Sequence, residues 1–121
     1  MVAAILNEVI AGLHTLVTTG QPTTIDLRRL PLLPYDLQRL RGILGKGEVA
    51  IEVSALGATR IQETSLAAVW WIDHSNDLGD HLWSTVEMAF VPTLLPATIE
   101  EASEAADKLQ AKLETWAQPY Q

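Results

Sequence analysis

Ile61-Gln62-Glu63-Thr64-Ser65-Leu66-Ala67-Ala68-Val69-Trp70-Trp71-Ile72-Asp73-His74 carries two adjacent tryptophans inside a run that reads as strand. Successive strand residues point to opposite faces of a sheet, so Trp70 and Trp71 cannot share one. One ring enters a core. The other needs a cover on the reverse face: water, another element of the chain, or a partner.

The flanking sequence supplies the rest of a sheet. After Gly45-Lys46-Gly47 the apolar period becomes two, with Val49, Ile51 and Val53 facing one way and Ala50, Glu52 and Ser54 the other. Leu56-Gly57-Ala58 turns the chain into a second strand, Thr59–Thr64. A third strand is expected from about Ala67 to His74 and a fourth from about His81 to Val91, joined by Ser75-Asn76-Asp77-Leu78-Gly79-Asp80, which is turn chemistry throughout. A symmetric loop of these residues sets His74 opposite His81, Ile72 opposite Trp83 and Trp70 opposite Thr85. Val69, Trp71, Leu82, Val86, Met88 and Phe90 then form the more continuous apolar face and are assigned to the core. Trp70, Ile72, His74, His81 and Trp83 are left on the outer face.

Helices bracket this meander. Val2, Leu6, Val9, Leu13 and Leu16 recur at helical spacing, ending near Gly20-Gln21-Pro22. Thr23–Leu27 alternates as a short strand. Pro34 suits the first position of a second helix, whose apolar face is Leu37, Leu40, Ile43 and Leu44 and whose stop is Gly45. Pro92 and Pro96 bracket a linker, after which Thr98 and Glu101 form a capping box. Ile99, Ala102, Ala106, Leu109, Leu113 and Trp116 follow as the stripe of a long helix. The expected fold is α+β: an antiparallel meander of about four strands plus one short N-terminal strand, with about three helices on one face, in a single domain spanning 1–121.

Fifteen acids against eight bases give a formal charge of −7. Between Arg60 and Lys108 no Lys or Arg occurs, while Glu63, Asp73, Asp77, Asp80, Glu87, Glu100, Glu101, Glu104 and Asp107 do. Such a surface repels phosphate backbones, which argues against a nucleic-acid partner. The chain has no cysteine, so disulfides and thiolate chemistry are excluded. Met1–Leu6 lacks a basic leader and no segment reads as a membrane span, so a cytoplasmic location without membrane insertion is expected. Arg28, Arg29, Arg39 and Arg41 form the one basic cluster, read as a solvated helix face or as an anion or acidic-peptide site.

Catalytic constellations are not visible. No serine elbow or phosphate-binding glycine loop occurs, and Gly42, Gly45 and Gly47 fit no nucleotide motif. No catalytic or cofactor-binding residue is assigned, and no enzyme activity is expected. His74 and His81 with Asp73 or Asp80 would be an adequate zinc set by type, but the carboxylates are one strand residue out of phase. The outer face, Trp70, Ile72, His74, His81 and Trp83, is instead read as a protein-binding or homodimer surface. The competing reading has helix one or the linker Pro92–Pro96 folding over these rings as ordinary core.

Thr23-Thr24-Ile25-Asp26-Leu27-Arg28, the segment Pro34–Gly47 with Glu48-Val49, and Ile61-Gln62-Glu63-Thr64 leading into Val69-Trp70-Trp71-Ile72-Asp73-His74 resemble the HupH/HyaF family of hydrogenase expression proteins. The similarity runs from about Leu6 to Pro96, and members are commonly longer, with this region as their C-terminal part. The resemblance implies a non-enzymatic, chaperone-like accessory factor in the maturation of uptake [NiFe]-hydrogenase. Its implied partners are a hydrogenase precursor subunit or other maturation proteins. The residues it carries over as interaction candidates are Glu63, Thr64, Trp70, Trp71 and His74.

Overall fold

The computed structural model describes residues 1–55 and 57–117. Leu56, expected in a turn, lies outside them. Helix α1 spans Val2–Thr19, followed by β1 (Thr23–Asp26), a 3-10 turn at Leu27–Arg29 and α2 (Pro34–Leu44). Strands β2 (Ala50–Ala55), β3 (Gly57–Glu63), β4 (Val69–Ser75) and β5 (His81–Met88) form the meander, and α3 (Ile99–Ala117) closes the order. All pairs are antiparallel, in the order β1-β5-β4-β3-β2. The protein is therefore α+β, with the short N-terminal strand on the β5 edge.

Local chemistry sets the element ends. Gly20 takes a left-handed φ of 75° after α1 and its N–H reaches the Leu16 carbonyl at 2.8 Å. Gly45 does the same after α2, donating to the Arg41 carbonyl at 2.9 Å. Leu33 has no side chain with which to cap α2, and Asp36 compensates by accepting the Leu33 N–H at 3.1 Å. The Thr98–Glu101 box is formed in both directions, at 3.0 and 3.1 Å.

The core lies between the sheet and helices α1 and α2. Ile5 and Val9 of α1 and Leu40 and Leu44 of α2 pack on Ile25, Val69, Trp71, Val86 and Met88. Helix α1 is, by length and composition, apolar enough to cross a membrane, with a mean hydropathy of 1.4 over 18 residues. This differs from the expectation that no segment would reach that mark. One side of the helix packs on the sheet: Ile5, Val9 and Leu16 are buried, and Gly12 faces the sheet so closely that a β-carbon there would lie 2.6 Å from Met88 Cε and Thr23 Oγ1, whereas Ile10 and Val17 are exposed.

Three expectations need correction. Of the three helices, α1 and α2 pack on the sheet, whereas every residue of α3 is exposed. Strand β4 begins at Val69, because Thr64 N–H and Oγ–H both bond the Val69 carbonyl (3.1 and 2.9 Å) and close the preceding turn. Strand β5 ends at Met88, so Phe90 is 65 % exposed instead of core. The chain leaves the sheet there and turns back over the outer face.

Candidate functional site

The free end of the β4–β5 hairpin concentrates the polar and aromatic side chains on both sheet faces. Its loop is tight. Asn76 Oδ1 accepts the N–H groups of Leu78 and Asp80 at 3.0 and 2.9 Å, and Gly79 turns with φ 86°. Ser75 pairs with His81, but His74 pairs with Trp83, so Leu82 is an extra residue in β5. The register beyond this bulge is His74–Trp83, Ile72–Thr85 and Trp70–Glu87. The symmetric loop expected from sequence gives a register two residues away. That error preserves the faces of Trp70, Ile72, His74 and Trp83, but the bulge moves His81 to the helix side.

On that side Asp73 is the hub. Its Oδ1 accepts Trp71 Nε1–H at 2.9 Å and Ser84 Oγ–H at 2.6 Å, while Arg41 Nη1 donates to Oδ2 at 3.2 Å. With its proton committed to Asp73, Ser84 Oγ is left to accept from His81 Nε2 at 2.9 Å. Burial works to raise the Asp73 pKa, but Ser84, Trp71 and Arg41 together outweigh it and hold the carboxyl below its usual range. Ser, His and Asp thus meet without forming a catalytic triad. Asp73 Oδ1 and Ser84 Oγ both approach the same imidazole nitrogen, at 3.5 and 2.9 Å, whereas a triad uses the two opposite nitrogens. The cleft here, about 620 Å³, is lined by Leu37, Arg41, Arg60, Trp71, Asp73 and His81.

The outer face divides in two. Trp70 is only 7 % exposed and Ile72 only 6 %, packed with Ile61, Ile51, Val53 and Leu95. The linker provides this cover, as the competing sequence reading had it. Trp70 Nε1–H donates to the Ala89 carbonyl at 2.9 Å, and buried Glu87 accepts Thr93 N–H at 3.0 Å and Thr93 Oγ–H at 2.7 Å. Trp70 and Ile72 are therefore interior residues, and their expected place on an open surface is corrected.

Nearer the hairpin tip the face is open. Trp83 is half-buried between a neighbour from β4 and one from the 3-10 turn after β1: the His74 ring is stacked at 4.4 Å and 16°, and Arg28 Cζ lies 4.3 Å from the ring centroid. Arg28 is itself held by Asp26 at 3.0 Å. Burial lowers the His74 pKa, with Asp73 opposing and Arg28 reinforcing the shift, and the net value falls below the ordinary imidazole range. A groove of about 470 Å³ runs past Gly57, Thr59, His74, Asn76, Leu82 and Trp83.

His74 and His81 lie on opposite faces, so the zinc reading of that pair is not assembled. Among the described residues no group of three His, Cys, Asp or Glu side chains is placed to hold a metal ion. The arginines disperse as well. Arg28 and Arg29 engage Asp26, Arg41 engages Asp73 and the Trp71 ring, and Arg39 lies over Tyr35. Glu63 and Thr64 have structural tasks: Glu63 Oε1 accepts Glu48 N–H at 3.2 Å, and Thr64 is buried in the β3–β4 turn. Sequence reading missed the Asp73 hub, although Asp73 shares strand parity with the core ring Trp71. It also missed the Arg28–Trp83 contact, which depends on β1 lying beside β5.

The fold and site define an α+β sheet protein with an arginine-flanked tryptophan groove on one face and a carboxylate hub on the other. The chain belongs to the HupH hydrogenase expression protein family, whose C-terminal conserved region matches residues 1–116. It is 44 % identical over 75 residues to the hydrogenase expression/formation protein HupQ of Azotobacter chroococcum mcd 1, covering 62 % of this chain and 26 % of that protein. It is 30 % identical over 95 residues to HupH of Rhodobacter capsulatus, covering 78 % of this chain and 34 % of the relative. HyaF, the hydrogenase-1 operon protein of Escherichia coli K12, matches at 28 % over 90 residues, 74 % and 32 % of the two chains. The chain thus spans about a quarter to a third of the length of these curated relatives. The solved structure of hydrogenase expression protein HupH from Thiobacillus denitrificans ATCC 25259 superposes with a TM-score of 0.90 at 38 % identity, covering 94 % of this chain and 95 % of that one. The resemblance read from the strand and helix segments is borne out, and it extends past Pro96 into α3.

Proposed function

We propose that this protein is a non-enzymatic accessory factor of [NiFe]-hydrogenase maturation in the cytoplasm, holding a precursor subunit or another maturation factor in chaperone-like fashion. Its relatives are named as hydrogenase expression/formation proteins, which supports the process. The observation that supports the binding surface is Trp83, pre-ordered between His74 and Arg28 at the edge of an open groove. An aromatic ring whose rotamer is already fixed loses little entropy on contact, as anchors at protein interfaces do. Leu78 and Leu82, both exposed at the hairpin tip, extend the apolar area beside it.

Capture of hydrogenase subunits and maturation proteins from hydrogenase-producing cells tests this reading. Trp83→Ala should reduce recovery by tenfold or more, the consequence of losing a hot spot of about 2 kcal/mol. Leu82→Glu, at an exposed bulge position, should act in the same direction and leave the chain folded. Full capture by both folded variants would remove the surface from consideration.

A further inference from the structure

Two guanidiniums share one carboxylate beside Trp83. Asp26 Oδ2 accepts Arg28 Nε–H at 3.0 Å and lies 3.5 Å from Arg29 Nε, while its Oδ1 accepts the Arg28 backbone N–H at 3.1 Å. Among the described residues no other carboxylate reaches either arginine, so a positive charge is left over. It stands out on a chain whose formal charge is −7. Both side chains are accessible, at 55 % and 80 % exposure. Arg28 is also fixed: Asp26 holds its Nε, and its Cζ lies 4.3 Å from the Trp83 ring centroid. The edge left over is that of Nη1 and Nη2, which takes a carboxylate through two parallel hydrogen bonds.

The sheet sets how far this edge is from the groove. Arg28 follows β1, and Trp83 of β5, His74 of β4 and Thr59 of β3 form one cross-strand row beyond it. Strands lie about 4.8 Å apart, so the arginine is about 10 Å from the His74 column and about 14 Å from that of Thr59. An extended chain covers those distances in about three to four residues. Resting on the reading of this groove as a protein-binding surface, we propose that its partner is an extended segment with an acidic residue about three to four positions from an apolar one. The acid takes the free edge of Arg28, with Arg29 beside it. The apolar side chain lies in the groove against Leu82 and the edge of Trp83. Asp77 of the β4–β5 loop also lines the groove and repels a second acid there, which places the partner's acid at the arginine end.

Panning a phage-displayed library of random peptides against the chain, with counter-selection on Trp83→Ala, reads this chemistry directly. Enriched peptides should carry Asp or Glu at the stated spacing from an apolar residue. As free peptides they should lose affinity about tenfold when the acid is replaced by its amide, and about as much on Arg28→Gln. Both changes together should cost no more than either alone, since each removes the same contact. The amide change is measured on the unaltered chain, so it stands even if Arg28→Gln shifts Trp83. Arg28→Lys keeps the charge without the fork and should restore only part of the affinity. Arg39→Gln, on α2 at the other face of the sheet, should bind as the parent does. Trp83-dependent peptides that lack an acid, or whose acid is additive with Arg28→Gln, would overturn the acidic partner and leave the groove standing. Peptides indifferent to Trp83, or no enrichment, would remove the groove and the acidic partner with it.

Discussion

Asp73 decides how the hairpin end is built. Its carboxylate receives one aromatic N–H, one hydroxyl and one guanidinium, from three different elements. Truncation by Asp73→Ala would leave Trp71 Nε1–H and Arg41 without their acceptor beside the core. The loss should be about 1–3 kcal/mol, the range for a buried donor left unpaired. Urea denaturation measures it, and an unchanged midpoint would mean that water replaces the carboxylate. Residue-scale geometry was legible where parity alone decides, as in the split of Trp70 and Trp71 between faces. It was not legible where one inserted residue matters. Leu82 adds a single bulge position, and that is enough to send His81 away from His74 and to join it with Asp73 and Ser84. Nothing local in His81-Leu82-Trp83 marks the bulge, which lies next to a loop whose Leu78 and Asp80 N–H groups are gathered onto the Asn76 side chain.

At the scale of elements, the segment after β5 acts as a lid on the outer sheet face. Its attachment is polar and specific: Glu87 holds Thr93 through two hydrogen bonds, and Trp70 holds Ala89 through one. Leu95 then completes the small cluster of Ile61, Trp70 and Ile72. Thr93→Val removes the hydroxyl that buried Glu87 uses, and should destabilise the protein by about 1–2 kcal/mol while shifting tryptophan emission to the red as water reaches Trp70. A destabilised variant with unshifted emission would separate the clamp from the cover. Helices and strands were readable beforehand because each has its own period and caps, the Thr98–Glu101 box being the clearest case. The lid was not, since Pro92–Pro96 has no period at all. Its position depends on a buried glutamate in a strand, a residue type that sequence reading sends to solvent.

The whole molecule should lose stability as acid is added, in two stages with separate causes. His74 and Asp73 both have folded-state pKa values below those of the unfolded chain, 6.5 and 3.8. Below pH 6.5 the unfolded chain binds a proton on His74 that the folded protein resists, so stability declines until the pH passes the lower folded value, where the loss levels off. The contribution of Asp73 is complete above 3.8 and disappears only as the pH falls through its depressed folded value. Between about pH 7 and about pH 5 the decline attributable to this pair is therefore the histidine's alone. The charged groups around that imidazole are Asp73 and Asp26, which favour its protonation, and Arg28 and His81, which oppose it. Removing the imidazole with His74→Gln should flatten the urea midpoint across that interval and leave the steep loss at lower pH in place. If the variant kept the original slope, the proton uptake would belong to another group.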